Sequence, residues 1–130
     1  QLFMPGIPQV WYLDLFAGTN DHEAVRQAGA GGHKEINRTN LTRERVENGL
    51  KRAIVQKQLE LLRFRNSFPA FGFEATLKLA QPEEYRLEFV WQKDGYAARL
   101  NADLEGISFS IRGIGPAGEV LFCSDMEGLA

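Results

Sequence analysis

The stretch Met4-Pro5-Gly6-Ile7-Pro8-Gln9-Val10-Trp11-Tyr12-Leu13-Asp14-Leu15-Phe16-Ala17-Gly18-Thr19-Asn20-Asp21 decides how the rest of the chain is read. Pro5, Gly6 and Pro8 punctuate its start, and Val10 to Phe16 form a nearly continuous apolar run. Such a run suits a strand covered on both faces, as in a parallel sheet, better than a half-exposed one. Gly18, Asn20 and Asp21 end it in a polar loop. One buried strand is therefore expected here, followed by a long irregular segment from Ala17 to Asn40. Within that segment His22 to Gln27 is expected to form one helical turn, with Asn20 or Asp21 as its cap. A loop of this length in a compact domain is uncommon and often functional.

Working outward, Thr42 is placed to cap a helix starting at Arg43, with Leu41 as its staple and Gly49 at its end. A longer helix is expected from about Arg52 to Asn66. Val55, Leu59 and Leu62 form its apolar stripe, Ile54 and Leu61 widen it, and Lys57, Glu60 and Arg63 face water. Pro69 ends it. The period then changes to two. Phe73 to Leu79, Tyr85 to Trp91, Tyr96 to Ala102 and Ile107 to Ile111 each alternate apolar with polar residues, and Val120 to Cys123 is a fifth, shorter run. These read as half-buried antiparallel strands. Asp94-Gly95 is a hairpin turn signal, and Glu105-Gly106 and Gly113 to Gly118 supply the later turns. A five-stranded sheet with one covered face is expected, with a boundary near Ser67 to Gly72.

Composition narrows the function classes. The 130 residues match one ordinary domain, and 44% hydrophobic residues suffice for a real core. The net charge of −2 comes from interspersed acids and bases, which argues against a nucleic-acid-binding stripe. Cys123 is the single cysteine, so no intramolecular disulfide framework forms, and a reducing compartment is expected. No apolar run approaches the ~20 residues of a membrane span. Gln1 to Val10 has no basic start and carries two prolines, so it does not read as a secretory signal. A cytoplasmic location is expected.

Three ordered motifs then carry a family resemblance. Gly6-Ile7-Pro8-Gln9-Val10-Trp11-Tyr12 resembles the eighth-strand motif of the α-amylase superfamily, glycoside hydrolase family 13. Its extension through Leu15-Phe16-Ala17-Gly18-Thr19-Asn20-Asp21 is similar to the sucrose phosphorylase branch, which also holds phosphorylases of other α-glucosides. Lys34-Glu35-Ile36-Asn37-Arg38 resembles the loop after that strand. Leu61-Leu62-Arg63-Phe64-Arg65-Asn66, with Pro69-Ala70-Phe71, resembles the last barrel helix and its exit. The resemblance implies an α+β fold. Residues 1–68 would be the last βα unit of a (β/α)8 barrel, with one strand, a long loop and two helices. Residues 69–130 would be a small five-stranded antiparallel β domain. A complete barrel needs eight such units and at least ~200 residues, so the chain is expected to be a C-terminal piece.

The same resemblance supplies candidate residues. It places Arg38 at the floor of the pocket for the transferred glucose, on the C-terminal barrel face where such sites lie. A guanidinium suits that place: its planar, permanently charged fork of donors can hold sugar hydroxyls and a nearby carboxylate together. Asn37 precedes it and is expected to shape the loop. Thr39 bears on the acceptor, because sucrose phosphorylases tend to read Asn-Arg-His-Tyr-Tyr where this chain reads Asn37-Arg38-Thr39-Asn40-Leu41. Glycerate or glycerol therefore become plausible acceptors beside fructose. Asp14 stands where many relatives have Gly, and it either lines the acceptor side or pairs with a base.

No catalytic residue is expected within the chain. The family carries its nucleophile, acid/base and stabilising carboxylate at the ends of strands four, five and seven, and retaining chemistry needs two carboxyls ~5 Å apart. Asp14, Asp21, Glu23 and Glu35 are not read as that pair. His22 and His33 lack the third ligand a metal site needs. Gly29-Ala30-Gly31-Gly32-His33-Lys34 lacks the strand-to-helix context and the ending of a phosphate-binding loop. Trp11, Tyr12, Trp91 and Tyr96 are expected as core or interface residues rather than a sugar platform. The reading implies no cofactor and no metal. An α-glucoside and inorganic phosphate would be the partners of the parent enzyme, and self-association is expected of the piece. The alternatives are a non-catalytic self-associating or sugar-binding module, or part of a family 13 hydrolase or transglucosidase.

Overall fold

The structure, a computed structural model, describes residues 1–127. Its internal contacts divide the chain into two bodies: Ile7–Leu61, and Gln1–Gly6 together with Leu62–Ala130.

The first body holds α1 (Tyr12–Leu15), α2 (His22–Ala28), α3 (Arg43–Gly49) and the beginning of α4 (Ala53–Ser67). The strand expected over Val10 to Phe16 is not there; a single helical turn takes its place. An extended run must find partners for every backbone N–H and C=O, and the sheet of this protein is built from later residues. The stretch therefore closes on itself. Leu15 N donates to Trp11 O at 2.9 Å and Phe16 N to Tyr12 O at 3.1 Å. Gly18 N then returns to Leu13 O at 2.8 Å. Leu13 and Val55 are fully buried and form the centre of this body.

The helices after it start where the sequence expects. Asp21 Oδ1 accepts from Ala24 N at 2.9 Å and so caps α2, which runs one residue past the anticipated turn. Gly31, at φ +88°, leads into a 3-10 turn over Gly32–Glu35. Thr42 Oγ1 caps α3 by accepting from Arg45 N at 3.2 Å, and α3 ends at Gly49. On α4, Val55 is buried as anticipated, but Ile54 is half exposed.

The second body is a meander. β1 (Thr76–Glu83), β2 (Arg86–Lys93), β3 (Tyr96–Asp103), β4 (Ser108–Ile114) and β5 (Val120–Met126) pair antiparallel in sequence order. Lys93 pairs with Tyr96 around Asp94-Gly95, whose φ angles of +49° and +81° fit the primed hairpin turn. β1 starts later than the alternation suggests. Phe73 is almost wholly exposed, and Glu74 takes φ +66°, so this is a turn ahead of the sheet.

The register brings Trp91, Ala98, Gly113 and Phe122 into one row. The end of α4 and the Pro69–Phe71 turn supply the aromatic rings that cover it. Phe64 stacks on Phe122 with centroids 4.0 Å apart, and meets Phe71 edge-on at 5.4 Å. Phe68 meets Tyr96 edge-on at 5.9 Å. Gly113 is small because it must be: a Cβ there would lie 2.7 Å from Phe64 Cε2. Arg65 ties residues 1–6 to this core. It donates to Leu2 O at 2.7 Å and Gly6 O at 3.0 Å, and its guanidinium lies 4.4 Å from the Phe71 ring centre. Burial lowers its pKa from the ordinary arginine value. Trp91 Nε1 donates to Phe3 O at 2.7 Å.

A candidate substrate-side cleft in the first body

Local pairing fixes the segment that carries Asn37, Arg38 and Thr39. Trp11 Nε1 donates to Asn37 O at 2.7 Å, and Tyr12 Oη donates to Thr39 O at 2.9 Å. The polar tips of both aromatic side chains thus hold the loop backbone, and Trp11 remains partly exposed. Thr39 Oγ1 donates to Thr19 O at 3.3 Å, joining the two ends of the loop. Asp21 N donates to Ile36 O at 2.7 Å and adds a second tie.

Of the four expected site residues, Asn37, Arg38 and Thr39 share one loop, and Trp11 and Tyr12 hold that loop against the turn that carries Asp14. Arg38 is exposed and pairs with Glu35 at 3.3 Å. An exposed pair of this kind is worth at most ~1 kcal/mol, so the guanidinium remains available to a stronger partner. Asn37 contributes its backbone carbonyl, consistent with a loop-shaping role. Asp14 is exposed on α1, and its backbone carbonyl accepts from Gln58 Nε2 at 3.2 Å. Thr39 lines a cleft of about 500 Å³ that does not include the other three. Of the remaining aromatics, Trp91 and Tyr96 are half-buried against the aromatic layer of the second body. Among the described residues no group of three or more His, Cys, Asp or Glu is arranged to hold a metal.

The cleft has residues that the motifs do not single out. Its floor is Leu13, Phe16 and Leu41, and its polar rim adds Arg45, Asn48 and Arg52 to Thr19 and Thr39. Arg45 and Asn48 are spaced by three on α3, and Arg52 follows in the turn between α3 and α4, so only the first two carry a helical spacing in the sequence. Arg52 Nη1 donates to Ala17 O at 2.7 Å and to Phe16 O at 3.3 Å. It clamps a turn where Ala17 sits at φ +48°, a conformation L-residues rarely adopt. Gly49 lets α3 approach closely, since a Cβ there would lie 3.0 Å from the Phe16 ring.

Comparison with known proteins gives this architecture its relatives. No family model matches the chain. It is 54% identical over 111 residues to a sucrose 6(F)-phosphate phosphorylase of Ilumatobacter coccineus, covering 85% of this chain and 21% of that protein. It is 38% identical over 104 residues to a glucosylglycerol phosphorylase of Marinobacter adhaerens, covering 80% of this chain and 21% of that one. The crystal structure of a sucrose 6F-phosphate phosphorylase from Thermoanaerobacter thermosaccharolyticum superposes over 98% of this chain and 24% of its own. The TM-score there is 0.82 and the identity 35%. The fold, an antiparallel sheet joined to helices, is thus that of the C-terminal part of an α-glucoside phosphorylase. The chain is homologous to the sucrose phosphorylases and spans about a fifth to a quarter of the length of the relatives it matches.

Proposed function

We propose that this chain is the C-terminal part of a retaining α-glucoside phosphorylase that moves glucose from a glucoside to inorganic phosphate. The 54% identity to a sucrose 6(F)-phosphate phosphorylase carries the reading. In the parent, Arg38 binds the transferred glucose and Thr39 faces the acceptor side, with Asn37 shaping the loop and Asp14 near the acceptor. The exposed Arg38, held by a single weak ion pair, supports that assignment, because it can exchange Glu35 for a sugar-binding network. The covalent glucosyl-enzyme forms on carboxylates that lie outside these residues. In the parent, residues 1–68 belong to the end of the catalytic barrel, where the segment now turned at Tyr12–Leu15 takes up its strand beside the barrel's other strands, and residues 69–130 form the β domain. The parent is placed in the cytoplasm, a reading that the single cysteine supports. The isolated piece self-associates.

The test is an assay of the longest polypeptide that carries this sequence. Glucose 1-phosphate release that depends on phosphate is expected, and a rate indifferent to phosphate would instead identify a hydrolase or transglucosidase. The 130-residue chain alone should release none, and detectable turnover by it would overturn the division of labour. In the active parent, Arg38→Lys should lower kcat/KM by at least tenfold, because an ammonium cannot form the planar bidentate contact.

A further inference from the structure

The two outer strands of the sheet are built differently at their free edges. β1 carries Lys78 and Pro82, and its register slips between Ala80 and Glu83. A lysine, a proline and a bulge are devices that keep an edge from pairing with another chain. β5 reads Val120-Leu121-Phe122-Cys123-Ser124-Asp125-Met126, with no lysine, arginine or proline. Its register slips only near its start, where Leu121 falls between the partners of Gly113 and Ile114. From Phe122 to Met126 it pairs with β4 without interruption, and among the described residues no strand lies on its other side. Alternate backbone N–H and C=O groups of that run therefore point to an open edge. Val120, Leu121 and Met126 flank the run as exposed apolar side chains.

We propose, resting on the reading that the piece self-associates, that β5 pairs with β5 of a second copy of this chain. The two strands run antiparallel about a two-fold axis at Ser124, the centre of the uninterrupted run, and join the two sheets into one. A two-fold contact must be complementary to itself, and this run is. Phe122 falls opposite Met126 of the partner subunit, an apolar pair, and Cys123 falls opposite Asp125 of the partner subunit. Within each copy, Arg112 is the β4 neighbour of Cys123, and Ser110 that of Asp125. Each row across the joint then runs from Arg112 through Cys123 to the carboxylate of the partner subunit's Asp125. No two like charges stand opposite one another, which is what cross-strand pairing requires. Arg112 also holds Asp125 within its own copy, Nη2 to Oδ2 at 2.9 Å, so the carboxylate does not meet the joint unpaired. A ladder this short is small beside the ~1,600 Å² of a standard interface, so the dimer forms in proportion to concentration.

The experiment is sedimentation velocity of the 130-residue chain over a concentration series in reducing buffer, with Cys123→Glu and Cys123→Lys beside it. Monomer and dimer in mass-action exchange are expected. Cys123 is exposed, so neither variant disturbs the core. Cys123→Glu sets a carboxylate opposite Asp125 of the partner subunit but beside its own Arg112. It should weaken dimerisation about two- to fivefold without lowering the melting temperature. Cys123→Lys reverses both contacts, so it should tighten the dimer about two- to fivefold while the monomer melts lower. The opposite signs separate a contact between copies from an effect on folding. The two Cys123 side chains related by the axis are diagonal neighbours, about 7–8 Å apart. Cys123 is the single cysteine, so a thiol cross-linker of that span should join the dimer through it alone. A chain that stays monomeric throughout overturns both the β5 joint and self-association. A dimer that Cys123→Glu leaves intact, or that the cross-linker fails to join, keeps self-association and overturns the joint. Neither readout involves glucosyl transfer, so the phosphorylase reading stands or falls separately.

Discussion

At the scale of single residues, two positions show how tightly the second body is specified. Gly113 faces Phe64, Phe68 and Phe122, and a Cβ would meet atoms of all three rings or stems at 2.7–3.0 Å. Gly113→Ala is expected to destabilise by about 1–3 kcal/mol, because the rings must leave their stacked positions to admit one methyl group. Urea unfolding followed by tryptophan fluorescence checks this, and an unchanged midpoint would show that the aromatic layer yields. Asp125 makes a two-pronged pair with Arg112, with Oδ2 2.9 Å from Nη2. The hydrogen bond from Arg112 holds the Asp125 carboxyl below its ordinary value. A lowered folded-state pKa means that the unfolded chain takes up the proton first as pH falls. The pair therefore stabilises above the unfolded carboxylate value of ~4 and loses its effect as pH drops through the lower folded value. Asp125→Asn should melt below the parent protein at neutral pH, and the gap should close in acid. A gap that persisted through the acid limb would mean the ion pair is not its cause.

At the scale of elements, what the sequence discloses depends on whether one element can satisfy itself. Strands β2 to β4 are legible because each alternates and each has a sequence neighbour to pair with. α3 is legible because its cap is local: Thr42 lies three residues before the N–H it accepts. Thr42→Ala should cost about 1 kcal/mol and make exchange of the α3 amides about fivefold faster, as hydrogen exchange would read. Val10 to Phe16 is the counter-example. An apolar run of this length fits a buried strand and a helical turn equally well by period alone. The outcome was decided by whether other strands lie alongside, which the run itself does not encode. The cleft shares this limit. Its arginines are visible in the sequence, but the carbonyls of Phe16 and Ala17 that seat Arg52 are backbone atoms with no residue signature.

At the scale of the whole molecule, the meander has a kinetic consequence. Each strand pairs only with the strand before and after it in sequence, so every ladder closes a short loop of chain. Closure entropy grows with the span enclosed, and domains dominated by near-sequence contacts cross their folding barrier sooner. The bond from Trp91 to Phe3 spans 88 residues, and the bonds from Arg65 to Leu2 and Gly6 span 63 and 59. Nucleation in β2 to β4 should therefore precede capture of the first residues, which latch onto a sheet already assembled. In stopped-flow refolding, Phe89→Leu in the central ladder should slow the forward rate. Arg65→Met, which cuts the latch, should chiefly accelerate unfolding. The opening residues of the chain are then the last to arrive and the first to leave, so the earliest route to unfolding begins at the latch while the sheet still stands.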